Sequence, residues 1–422
     1  MKSRKGDFRI AMAFAGMLLA GTALGQGTPP GTGQTAAPTA APPATTDPQS
    51  AMFGRPDNPD AVKLAPVPSP PLPTSAARLP LDKMHVPAGF KVEVYASGMA
   101  NARSLALGDN GTVFAGSRLM DKVYAITTVN GTRIVKVIAS GLHRPNGVAF
   151  HNGSLYVAEL SKIWRYDNIE DNLDHPPQPV LVYDDLPTDE AHGWKFIAIG
   201  PDNKLYVPVG SPGNIPMPPP THAQIRRMDL DGKNVEKVAI GVRNTVGFDW
   251  NPRNGDMYFS NNGRDWVSED LPNDTLHRIP VGAERTMNFG FPYCHQGNFA
   301  DPEHGWGHSC SEFDPPTALL GPHVAALGLR FYTGDMFPET YKNAIFLARH
   351  GSWNRTKKLG GDVVVIKLKD DGSVASIEPF MTGFLENNNY NGRPVDVQML
   401  KDGSLLVSDD WNGAVWRVSY AK

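Results

Sequence analysis

Four arginines in this chain, Arg103, Arg144, Arg243 and Arg393, share one context: each stands just before a short apolar run, as in Arg243-Asn244-Thr245-Val246-Gly247-Phe248. Asn146, Asn244 and His192 occupy related positions. An arginine fork binds carboxylates bidentately. Guanidinium groups gathered at one opening repel one another unless an anion lies between them. The set therefore points to a flat or multi-carboxylate anion, the alternative being that each arginine caps neighbouring carbonyls. His192, in Asp189-Glu190-Ala191-His192-Gly193, is of the residue type that exchanges a proton near neutral pH. A lone histidine can equally be structural.

These residues converge only if the elements behind them repeat. Six polar turns, at Asn110-Gly111, Asn152-Gly153, Asp202-Asn203, Asn254-Gly255, Lys342-Asn343 and Asp402-Gly403, each precede a short strand such as Ser154-Leu-Tyr-Val157. Each also follows another strand-like run. One hairpin cannot bury its apolar face alone, but six extended to small sheets can bury theirs against one another around an axis. The spacing predicts an all-β, six-bladed β-propeller with a disulfide-containing loop insertion. A β-helix would need shorter repeats, and a β-sandwich would not explain six copies. In a propeller the first strand of each blade lines the channel, which brings the arginines and His192 to one mouth. Phe90–Tyr95 is expected to complete the last blade beside Ala414–Tyr420, removing an open edge. The long interval between Gly255 and Asn343 is expected to hold the insertion, roughly 262–323.

The chain has 422 residues and a near-balanced charge of −3, with no basic block to attract nucleic acid. Lys2, Arg4, Lys5 and Arg9, a short apolar run to Ala23 and small residues to Gly25 read as a secretory signal over residues 1–25. No stable membrane span is expected once it is removed, a retained anchor being the alternative. Residues 26–78, rich in Pro, Ala and Thr, are expected to be a flexible leader, and the propeller to occupy 79–422. In an exported, periplasmic chain the two cysteines, Cys294 and Cys310, favour a disulfide over a metal pair or free thiols.

Several runs resemble one family. Arg243-Asn244-Thr-Val-Gly247, His192 with Gly200-Pro-Asp-Asn-Lys-Leu-Tyr206, and Asn288-Phe-Gly-Phe-Pro292 are similar to soluble PQQ-dependent sugar dehydrogenases. His323-Val-Ala-Ala-Leu-Gly-Leu-Arg-Phe-Tyr332, His350-Gly-Ser-Trp-Asn-Arg355 and Gly392-Arg-Pro-Val-Asp396 resemble the sorbosone and pyranose dehydrogenase branch. The resemblance implies pyrroloquinoline quinone (PQQ) with calcium at the channel mouth, and oxidation of an aldose or sorbosone-like sugar aldehyde to a lactone or acid. It implies His192 as general base and Arg243 with Asn244 on the quinone oxygens. Arg393 would hold a cofactor carboxylate, and the carbonyls of Gly263 and Arg264, with Asp274, would bind calcium. Arg103, Arg144 and Asn146 join the cofactor set, and Arg355 stands in for the family's cofactor-gripping Lys, with Lys357 or Lys358 as alternatives. Trp353 is the expected sugar-stacking residue. The chain departs from the family's glucose-oxidising members at Val395, Ala191 and Asn146, which puts glucose in doubt as substrate. Electrons would pass to an external cytochrome or quinone. A calcium-dependent propeller lactonase and a non-catalytic binding propeller are the rival readings.

Overall fold

The computed structural model describes residues 47 and 49–421, which belong to one compact unit. The expected signal and the leader up to residue 46 lie outside the described residues. Six sheets of four antiparallel strands form the blades of a β-propeller, the third blade gaining a short parallel fifth strand, Met287–Asn288. The innermost strands are Ala102–Leu107, Gly147–His151, Ala198–Ile199, Phe248–Trp250, Ala326–Phe331 and Pro394–Met399, in chain order for blades 1 to 6. At all six expected turns the Gly or Asn is left-handed: φ is 89° at Gly111, 77° at Gly153, 57° at Asn203, 81° at Gly255, 57° at Asn343 and 84° at Gly403. Only Gly or Asn takes that conformation at low cost. The turn dipeptides therefore set the register of every hairpin.

Between blades the apolar faces interlock. Phe114 of blade 1 stacks on Phe150 of blade 2, and Tyr258 of blade 4 meets Phe331 of blade 5 edge-on. Burying a large side chain of this kind contributes about 1.5–3 kcal/mol. The ring closes as expected: Phe90–Ser97 pairs antiparallel with Ala414–Tyr420, with Phe90 opposite Tyr420, as the outer strand of blade 6.

Two expectations are corrected. The insertion is narrower than 262–323, because Asn273–Ile279 and Ala318–Pro322 are the third and fourth strands of blade 4. Asn273–Ile279 is too polar for its strand period to show, and Ala318–Pro322 is a short apolar run ending in Gly-Pro. The true excursion, 280–317, carries the Cys294–Cys310 disulfide. It is pinned by Arg264, whose guanidinium binds Asp301 at 2.7 Å and Glu303 at 2.7 Å.

The expected flexible leader also ends earlier than residue 78. Residues 49–78 lie against the propeller, with Met52, Arg55 and Ala61 buried. Phe53 packs on Ile215, Ala223 and Phe291. Average composition hid these few apolar anchors, and hydrogen bonds to blade loops hold the backbone between them.

Candidate active site

In an antiparallel blade the start of the first strand and the end of the second lie at the same end of the sheet. Both sets of residues therefore meet at one mouth, around a cavity of about 500 Å³. Of the expected residues, Arg103, His192, Arg243, Asn244, Gly263, Asp274, Trp353 and Arg393 line it.

His192 sits in a left-handed conformation, φ 50°, on the loop entering blade 3. Its Nδ1 lies 2.9 Å from the carbonyl of Ser211. A carbonyl only accepts, so Nδ1 carries the hydrogen and Nε2 keeps the lone pair. Burial, and then the positive charge of Arg243, depress the imidazole pKa to about 3. The ring is thus a neutral acceptor at working pH. Gly210 makes its placement possible: a Cβ there would come within 2.6 Å of the His192 Cβ and 3.3 Å of Asn244 Oδ1.

Arg243 is fixed from every side. Nε donates to Asn214 O at 2.8 Å, Nη1 to Gly263 O at 2.7 Å, and Nη2 to Asp265 at 2.9 Å. Asn244 donates to Asn262 Oδ1 at 3.2 Å. Arg393 donates to the carbonyls of His350, Gly351 and Val67 at 3.1, 2.6 and 3.2 Å. Burial lowers the pKa of both Arg243 and Arg393.

Arg103 is 1% exposed and bound to Asp410 Oδ2 at 2.5 Å and Asn146 Oδ1 at 2.9 Å. Two of its five N–H donors are thereby engaged, by side chains rather than by the carbonyls of the capping alternative. Asp410 also accepts from His350 Nε2 at 2.8 Å. Burial opposes its charge, but His350 and Arg103 hold its pKa well below the carboxylate range.

Four expected site residues do not reach the cavity wall. Arg144, with φ 53°, turns to an ion pair with Glu190. Asn146 is a buried brace between Arg103, Ser104 and the Lys195 carbonyl. The Arg264 side chain is spent on the insertion. Arg355 is drawn away by Asp270 at 3.0 Å and the Lys357 carbonyl at 3.0 Å. In each case a carboxylate or carbonyl distant in sequence competes for the side chain, which the local sequence does not reveal.

Sequence reasoning missed Arg118, Asp265, His323, His350 and Asn354, all in the wall. Arg118 and His350 directly follow second strands, Val113–Ser117 and Ile345–Arg349. Scanning those ends as well as the strand starts would have found them. Arg118 lies 3.6 Å over the Trp194 ring, its Nε is buried without a partner, and it has no carboxylate partner among the described residues. Burial, then Arg103, depress its pKa to about 9. Asn354 Oδ1 is likewise buried and unsatisfied. Arg103 and Arg243 have carboxylate partners, whereas Arg118 and Arg393 have none among the described residues. Arg118, whose side chain has no hydrogen-bond acceptor among them, has most of its charge left for a ligand.

Two of the three proposed calcium donors, Gly263 and Asp274, are otherwise engaged. Gly263 O accepts Arg243 Nη1, and Asp274 Oδ1 and Oδ2 accept the amides of Gly263 at 2.9 Å and Ala326 at 3.1 Å. Burial raises the Asp274 pKa to about 6. No three His, Cys, Asp or Glu side chains converge on a metal position among the described residues. As arranged here these atoms do not make a cation cage.

The TrAA12-like family model matches residues 84–421. An uncharacterized protein of Borreliella burgdorferi is 32% identical over 365 residues, covering 83% of this chain and 94% of its own length. The pyrroloquinoline quinone-dependent pyranose dehydrogenase of Coprinopsis cinerea is 24% identical over 410 residues, 80% of this chain; the match takes in 54% of that protein's length. The holo form of its PQQ domain superposes with a TM-score of 0.69 at 22% identity, covering 80% of this chain and 97% of that one. The calcium structure of the Trichoderma reesei family AA12 enzyme gives a TM-score of 0.67 at 20% identity, covering 85% and 99%. At these identities the two structures share the propeller fold with it. By the span of the family match, the chain belongs to the TrAA12-like family.

Proposed function

We propose that the cavity binds pyrroloquinoline quinone and that the protein oxidises a sugar at its anomeric or hydrated aldehyde carbon. The observation that carries this reading is the pairing of His192, a half-buried neutral base with a fixed tautomer, with Arg118, a cation lacking a carboxylate. The cavity fits the cofactor's chemistry: Arg118, Arg243 and Arg393 suit a planar tricarboxylate, and Trp194 and Trp353 add aromatic walls. When bound, the quinone would supply a two-electron acceptor for the hydride of the sugar C–H bond. The chain's own residues do the rest. His192 Nε2 takes the proton of the hydroxyl on that carbon as the carbonyl forms, giving a lactone or acid. Arg243, locked by Asp265 and two carbonyls, presents positive charge without rearranging, the condition for strong electrostatic stabilisation. Asn244, packed against the same Gly210 as His192, keeps the two in register. No step here depends on calcium.

An arginine-rich wall favours this reading over a calcium-dependent lactonase, which would need carboxylates free to bind metal. The disulfide fits an oxidising compartment, so the periplasm is the proposed location and an external cytochrome or quinone the proposed acceptor. No helix among the described residues is long and apolar enough to cross a membrane.

The test adds PQQ, with and without calcium, to the purified full chain and follows uptake by tryptophan fluorescence. Turnover of a panel of aldoses and sugar aldehydes is then read with an acceptor dye. His192→Ala should keep PQQ uptake and lose turnover by about 10²–10⁴-fold, the usual contribution of a general base. Absence of PQQ uptake by the native chain would refute the reading.

A further inference from the structure

The segment before the propeller is part of the cavity. Ser50, Ala51, Pro66 and Val67 stand in the wall beside the blade residues. Three anchors fix the segment across the mouth. Trp266 Nε1 donates to Ala51 O at 2.8 Å, and Asn214 Nδ2 to Phe53 O at 3.1 Å, on the side of blades 3 and 4. Arg393 Nη1 donates to Val67 O at 3.2 Å, at blade 6. Farther on, Thr74 N donates to Asn412 O at 2.9 Å. The backbone therefore spans the opening as a strap from one side of the ring to the other. The family match begins only at residue 84, so the strap lies outside the part this chain has in common with its family model.

We infer that residues 49–67 form a specificity wall, which limits the substrate to one sugar ring and excludes longer saccharides. This rests on the oxidoreductase reading above. A cavity of about 500 Å³ must hold a three-ring cofactor and the substrate together, and its mouth is crossed by backbone tied down at both ends. A saccharide extended beyond one ring would have to displace the Val67 carbonyl from Arg393 or the Ala51 carbonyl from Trp266. Each displacement leaves a buried donor unsatisfied, which is the kind of penalty that discriminates strongly between substrates.

The test loosens the strap outside the cavity. Met52→Ser with Phe53→Ser removes its apolar plugs, and neither side chain lines the site. A second, milder variant, Phe53→Ala, covers the case in which the double variant folds poorly. The first measurement is the ratio of kcat/KM for a monosaccharide to that for its linear trisaccharide. The ratio should fall by about tenfold or more in the variants, with the monosaccharide kcat little changed. The second measurement needs no turnover: carbethoxylation of His192 by diethyl pyrocarbonate in the cofactor-free protein, followed by mass spectrometry. It should quicken by about tenfold as local opening of the strap becomes easier. An unchanged ratio together with unchanged labelling overturns the inference. If no sugar is oxidised by any form, the oxidoreductase reading fails, and the labelling rates alone decide whether the strap guards the site.

Discussion

Arg118→Met should make the cofactor-free protein more stable and its cofactor binding weaker. Burial and the nearby Arg103 pull the Arg118 pKa from 12.5 to about 9. At about 1.4 kcal/mol per unit this sets an upper bound of ~5 kcal/mol on the cost of keeping its charge in the folded state. Two effects reduce the gain on removing it. The guanidinium is partly solvated through the cavity and stacks over Trp194, a contact worth ~1 kcal/mol. Met preserves most of the buried stem, so little packing is lost. The net expectation is a stabilisation of ~1–3 kcal/mol, read as a higher urea midpoint at unchanged slope. Losing a charge-assisted bond to a ligand carboxylate costs ~1.5–3 kcal/mol, or a roughly 10- to 150-fold higher Kd for PQQ. Fluorescence titration of native and variant chains measures that term. A variant that is less stable without cofactor and binds PQQ as tightly as the native chain would refute the assignment of Arg118 as an uncompensated, ligand-binding cation of the site.

Other consequences follow from the buried charges and the insertion. Asp410→Ala strips the partner from Arg103 and His350 and should cost ~3–5 kcal/mol in chemical denaturation; a loss below 1 kcal/mol would contradict the network. The acid stability profile should bend. His192, His277 and His350 are depressed to about 3 by burial, so the unfolded state gains their protons as pH falls below ~6.5 and stability is lost. Asp274 and Asp409, raised to about 6 by burial, act in the opposite sense between pH 6 and 4. These five groups together give a shallow slope there, ~1.4 kcal/mol per pH unit, and a slope more than about three times steeper below pH 4, where the depressed Asp410 and Asp301 add to the histidines; a uniform slope in a pH series of urea midpoints would argue against these burials. Cys294→Ser with Cys310→Ser opens a loop of sequence separation 16 and should cost ~3 kcal/mol at most. That loss should appear first as faster hydrogen exchange in 289–313, because Arg264 still holds the insertion through Asp301.

Much of this was legible in the sequence for one reason: turns and strand starts are local. The six left-handed turn positions are named by Gly or Asn, and His192, Arg243 and Arg393 by their place before a strand. What failed was non-local. Arg355 and Arg144 have the right type and context, but Asp270 and Glu190 claim them across the fold. Arg118 follows a second strand rather than preceding a first, so its approach to the mouth depends on blade geometry rather than on motif. The strap was hidden because Met52, Phe53 and Ala61 are a few apolar residues in a Pro- and Ala-rich stretch, and only their docking surface gives them meaning. Asn273–Ile279 was lost to the insertion because a buried strand reading Asn-Asp-Thr-Leu-His-Arg-Ile satisfies its polar groups through partners far away in sequence.

The pairing of Phe90–Ser97 with Ala414–Tyr420 also orders events in time. As the chain is synthesised, its earliest propeller strand must wait for its final one, with more than 300 residues emerging in between. Until then blade 6 lacks its edge, and Asp410 and Arg393 have no finished sheet beneath them. The strap, joined directly ahead of that waiting strand, is delivered to the mouth by the same closing step. The complete binding cavity therefore requires both ends of the propeller sequence to have met. A chain cut short just before blade 6 would have five blades and no Arg393 or Asp410 in its site.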